Sequence, residues 1–89
     1  MMANSNLCPA HTKDAINNYL THRYQPGSFL MAVLTNDLRG AVAKADHLNL
    51  PALPHIVAYC WQNIPSNAWG SVTAVESYLS SPRPELMKD

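Results

Sequence analysis

Apolar residues along this chain recur at helical spacing in four successive stretches. Ala15, Ile16, Tyr19, Leu20 and Tyr24 mark one face of a first amphipathic helix. Thr12 is its expected N-cap, Asp14 suits the positive end of its dipole, and Pro26-Gly27 ends it. Ser28 is then placed to cap a second segment, whose apolar positions are Phe29, Leu30, Val33, Leu34, Leu38, Val42 and Ala45. Thr35-Asn36-Asp37 interrupts it with side chains that compete for the backbone. The segment therefore reads as two helices, over 29–35 and 37–47, with Asn36 as the new cap.

Leu48-Asn49-Leu50-Pro51 breaks the chain, and Pro54 is expected in the first turn of the next helix, where a missing N–H costs little. Leu53, Ile56, Val57, Cys60 and Ile64 form its inner face, and Ala58, Tyr59 and Trp61 its outside. After a turn at Ile64-Pro65-Ser66-Asn67, Ser71 caps a last short helix marked by Val72, Val75 and Leu79. No stretch alternates with period two and no Asn-Gly or Asp-Gly turn is present, so strands are not expected. The pattern predicts an all-α fold, a bundle of four to five short helices over residues 12–80. A flexible N-terminal arm over 1–11 and a mobile C-terminal tail over 81–89 complete it.

Charge changes this picture. Six Lys plus Arg balance six Asp plus Glu, so no long-range field attracts a phosphate backbone and general nucleic-acid binding is not expected. All of these charges lie outside residues 47–75. An average sequence is about one-quarter charged, so this neutral window needs a cover. In 89 residues few neighbours exist to wrap a whole helix, and a core this small is marginally stable by itself. Tyr59, Trp61 and Trp69 are amphipathic aromatics typical of contact surfaces. Self-association into a homo-oligomer, or binding of a partner through this region, is the expectation, with a wholly internal role as its rival.

The longest apolar run, Ile56 to Trp61, is far too short to span a membrane, and the N-terminus has neither a basic region nor an apolar segment of a secretory signal. A cytoplasmic location is expected. Cys8 and Cys60 are too few for a disulfide scaffold, and Cys60 reads as a small buried hydrophobe.

Candidate chemistry is sparse. Cys60 paired with His11, His22, His47 or His55 lacks the electropositive setting of a reactive thiol. His47, His55 and Asp46 fit no metal-ligand spacing, and Asp37 and Asp46 fall on opposite sides of an unbroken helix. No catalytic residue, metal or cofactor is assigned, and no enzyme is expected. The two Gly-Ser steps are more suggestive, because helix starts at Ser28 and Ser71 can hold an anion, with Arg39, Arg23 or Lys44 adding charge and Tyr24, Tyr59, Trp61 or Trp69 stacking a base. Plain capping by both serines is the simpler alternative.

Pro26-Gly27-Ser28-Phe29-Leu30, Ala32-Val33-Leu34-Thr35-Asn36-Asp37-Leu38, Ala45-Asp46, Asn49, Ile56-Val57, Pro65 and Trp69-Gly70-Ser71 resemble a group of small uncharacterised proteins encoded by bacteriophages and prophages. The resemblance spans roughly residues 15–79 and carries no activity. It implies a phage accessory protein acting inside a bacterial cell. The expected function is non-enzymatic binding that counters or manipulates host defence. Its contacts would be Tyr59, Trp61 and Trp69, and Ser28, Arg39 and Ser71 would meet a small anionic or nucleotide ligand. Three variants of this reading differ in partner: a sponge for a nucleotide immune signal, an inhibitor of a host nuclease or defence complex, and a virion or assembly component.

Overall fold

A computed structural model describes residues 3–81 of the chain; of the tail expected over 81–89, residues 82–89 lie outside the described residues. Helix α1 spans Ala10–His22, α2 Ser28–Leu34, α3 Leu38–Lys44, α4 Asn49–Asn63 and α5 Val72–Ser80, with short 3-10 turns at Ser5–Leu7 and Ser66–Ala68. The all-helical expectation holds.

The helix ends show how side chains set the path. Helix α1 starts two residues before Thr12, behind Pro9. Thr12 is buried within its first turn, and its Oγ1 donates to Asn49 Oδ1 at 2.7 Å rather than capping. The helix stops at His22, ahead of Pro26, because Arg23 takes a left-handed conformation with φ 59°. Arg23 is held there by its own side chain. Nη1 donates to Leu20 O at 2.9 Å and to the Tyr78 hydroxyl at 2.8 Å, and the guanidinium lies 3.8 Å from the Tyr78 ring centroid. The Tyr78 hydroxyl also donates to Leu20 O at 2.7 Å, so the end of α1 and the end of α5 are locked together.

The break between α2 and α3 falls where Thr35-Asn36-Asp37 predicts it, but Asn36 is not the cap. Asn36 adopts φ 66°, and the N–H groups of Asn36 and Asp37 donate to Val33 O and Ala32 O, closing α2 as a Schellman motif. Asp37 then caps α3, its Oδ1 accepting from Gly40 N at 3.0 Å. Asn tolerates the left-handed region, whereas Asp reaches the orphan donors of the next turn. Helix α4 also begins earlier than its prolines suggest. Asp46 Oδ1 accepts from the N–H groups of Leu48 and Asn49 at 3.0 and 2.8 Å, which fixes the start at Asn49. Pro51 therefore occupies the first turn and Pro54 lies within the helix. Ser71 caps α5 as expected, its Oγ accepting from Ala74 N at 3.1 Å.

The core is built from Ile16 and Tyr19 of α1, Leu30, Val33 and Leu34 of α2, Ile56 and Cys60 of α4, and Val75 of α5. The expected loose arm is instead packed on α4 over its described part. Asn4 N–H donates to His55 Nδ1 at 2.9 Å, Ser5 Oγ donates to Gln62 Oε1 at 3.0 Å, and Cys8 is buried. The arm shares a flank of α4 with α1, which removes apolar surface from water.

Candidate functional site

Helix α4 presents three sides. At about 100° per residue, Asn49, Ala52, Ile56 and Cys60 share one arc, and all four are buried. His55, Tyr59 and Gln62 point to a flank held by the N-terminal segment and α1. There the Tyr59 hydroxyl donates to Asn17 Oδ1 at 3.3 Å, and Lys13 Nζ lies 5.7 Å from the Tyr59 ring centroid. The remaining flank carries Leu50, Pro54, Val57 and Trp61, spaced four, three and four residues apart, so they form one stripe. All four are exposed, and Trp61 retains 79% of its accessible surface.

Helix α3 extends this stripe. Leu38 and Ala41 border a shallow crevice together with Val57. The linker over 45–48 carries the chain from the end of α3 to the start of α4. Leu38 is 70% exposed, and Val42, one turn further on, is also exposed, as is Leu48 in the linker. The second segment was expected to bury Leu38 and Val42 with Leu30 and Val33. The restart at Asp37 turns α3 so that Ala41 enters the core and Leu38 and Val42 face outward.

The three aromatics singled out in the sequence do not form one cluster. Tyr59 is half-buried against α1 and Trp69 is half-buried against the core, while Trp61 alone of the three stands out from the surface. Tyr59 and Trp61 are two residues apart, about 200° around the helix. Ser28 is the first residue of α2 and shares a crevice with Lys44 and Val72. Ser71 is occupied in capping, and Arg39 opens onto a separate crevice with Asp37 and Gly40. These three polar residues thus line no common cavity. Leu38, Val42, Leu48 and Leu50 were missed in the sequence as surface residues; the second α4 stripe is the signal that could have found part of the face.

The groups considered for chemistry have local structural work. Asp37 and Asp46 each cap a helix, and His55 accepts from the backbone of Asn4. Among the described residues no three His, Cys, Asp or Glu side chains gather as a metal site, and no helix is long and apolar enough to cross a membrane. Cys8 and Cys60 are both buried and unpaired as a disulfide. Burial pushes the Cys60 thiol up to about 12, with the Cys8 thiol adding to the rise. Burial likewise raises the Cys8 thiol, against the pull of Lys13. Both therefore stay protonated at neutral pH and are poor nucleophiles.

These shifts set an alkaline limit. The native state favours the neutral thiol of Cys60 and the neutral hydroxyl of Tyr19, which burial also raises to about 12. Their contribution to stability is complete below the ordinary values of 9.0 and 10.0, and is lost as pH climbs toward about 12. Urea midpoints measured along an alkaline series are expected to fall across that window, with a shallower fall for Cys60→Ala. A midpoint that stays level for the native chain contradicts this.

No family model, curated protein or solved structure matches the chain.

Proposed function

We propose that this chain acts by binding, as a self-associating accessory protein of a bacteriophage that counters host defence inside the bacterial cell. The phage setting draws on the Pro-Gly-Ser-Phe-Leu and Trp-Gly-Ser resemblance. The mode of action draws on one observation: Trp61, 79% exposed, stands on an exposed apolar stripe of α4 whose Val57 shares a crevice with Leu38 of α3.

A second copy of the chain is the occupant that suits this face. Leu and Val side chains carry roughly 60–120 Å² of apolar area and Trp up to ~250 Å², so the exposed parts of Leu38, Val42, Leu48, Leu50, Val57 and Trp61 present about 450 Å². A stable complex buries ~800 Å² per partner with an apolar centre and a polar rim, and this apolar area suits such a centre. Two-fold pairing sets each residue of a face against the same face of its copy. The α4 stripe lies wholly within the uncharged window 47–75, so pairing there brings no like charges together.

Sedimentation equilibrium over a range of concentrations tests the reading. The expected mass is twice the chain's 9.8 kDa. A mass of one chain at every concentration overturns it.

A further inference from the structure

Away from the α3–α4 face, a second opening lies between the starts of α1, α2 and α4. It has a volume of about 290 Å³, with apolar lining from Ala15, Phe29 and Leu30 and polar lining from His11, Thr12, Ser28 and Asn49. Asn49 is only 7% exposed. Its backbone N–H is taken by Asp46, and its Oδ1 accepts from Thr12 Oγ1. Among the described residues its Nδ2 donates to no protein acceptor, yet no fully enclosed side-chain polar atom lacks a partner. Nδ2 therefore keeps some exposure to solvent, and Asn49 lines this opening.

We propose that this crevice binds a small, uncharged, planar ring whose edge carries an adjacent hydrogen-bond acceptor and donor, the edge shared by pyrimidine bases and aromatic carboxamides. The ligand's carbonyl accepts from Asn49 Nδ2. Its N–H donates to the second lone pair of Asn49 Oδ1, since a carbonyl oxygen accepts twice. The ring lies against Phe29, Ala15 and Leu30. The volume falls at the small end of ligand pockets, which suits one ring and not a whole nucleotide. Charge is disfavoured by the Asp46 carboxylate, which already occupies the α4 start and repels an anion, and by apolar walls that strip water from any ion; His11 is the one titratable side chain among the lining residues.

The test is a ¹H–¹⁵N NMR titration of the full chain with uracil and with benzamide. N,N-dimethylbenzamide, which lacks the donor, and benzoate, which is charged, serve as comparison ligands. Uracil, benzamide or both are expected to shift the Asn49 side-chain amide and the backbone amides of Ala15 and Phe29, with dissociation constants in the millimolar range. Whichever of the two binds more tightly separates a base from a carboxamide as the ligand. The two comparison ligands are expected to bind about ten-fold more weakly or worse. Ala15→Leu, which fills the wall with a good helix former, is expected to abolish the shifts while the rest of the spectrum persists, and Asn49→Leu to weaken binding to the level of the dimethyl compound. Absence of crevice shifts with both uracil and benzamide overturns the proposal. So does equal binding of N,N-dimethylbenzamide, or unaltered binding by a folded Asn49→Leu chain.

Discussion

Tyr19→Ala is expected to unfold this domain or leave it on the edge of unfolding. Tyr19 is the largest fully buried side chain. Its hydroxyl donates to Ala68 O at 2.6 Å, and its ring lies 5.0 Å from that of Tyr78 at 47°. Truncation opens a cavity worth about 3–5 kcal/mol for an aromatic side chain. It also leaves Ala68 O, in a fully buried residue, without its donor, for a further ~1–3 kcal/mol. Natural domains have only about 5–15 kcal/mol of stability, and short chains sit at the low end. Tyr19→Phe keeps the ring and loses only the hydrogen bond, so its cost is expected at about 1–3 kcal/mol. Urea unfolding followed by circular dichroism measures both. An alanine variant that unfolds cooperatively within about 1 kcal/mol of the native chain contradicts this account of the core.

Trp61→Asp is expected to do the opposite: it leaves the fold intact and destroys the pairing. A side chain exposed to this degree contributes little to the fold of a single subunit, so the stability change of that subunit is expected within about ±0.5 kcal/mol. Within an interface, a buried tryptophan commonly carries 2 kcal/mol or more, and a carboxylate forced into an apolar contact adds its desolvation. A loss of about 3 kcal/mol weakens association by roughly two orders of magnitude. Sedimentation should then report a single chain at concentrations where the native protein is paired. Leu38→Asp is expected to act similarly, because Leu38 borders the same crevice as Val57. A Trp61→Asp chain that keeps the paired mass removes α4 from the interface.

The order of helices was legible because it depends on local signals. Apolar spacing locates α1 and α4, Ser71 marks the start of α5, and Thr35-Asn36-Asp37 marks the break between α2 and α3. What lay beyond the sequence is which neighbour covers which side. Thr12 looks like a cap until Asn49, 37 positions away, is brought against it. Asn4 and Ser5 look unattached until His55 and Gln62 offer partners. Tyr59 and Trp61 are both aromatic and two residues apart, but the helix turns one toward α1 and the other toward water. Val57 fits an inner-face pattern with Ile56 and Cys60, and equally a stripe with Leu50, Pro54 and Trp61; only the position of α3 decides between them. Arg23 and Tyr78, unremarkable as single positions, become partners because α5 returns to the end of α1.

The claim on which the functional reading rests is that the Trp61 surface is where two copies meet. Fluorescence of a Trp69→Phe chain isolates the Trp61 indole and reads its surroundings directly. On raising the concentration through the range in which the sedimenting mass doubles, its emission should move to shorter wavelength and acrylamide quenching should decline together. A spectrum that stays water-like and fully quenchable across that range contradicts the account, whatever the mass.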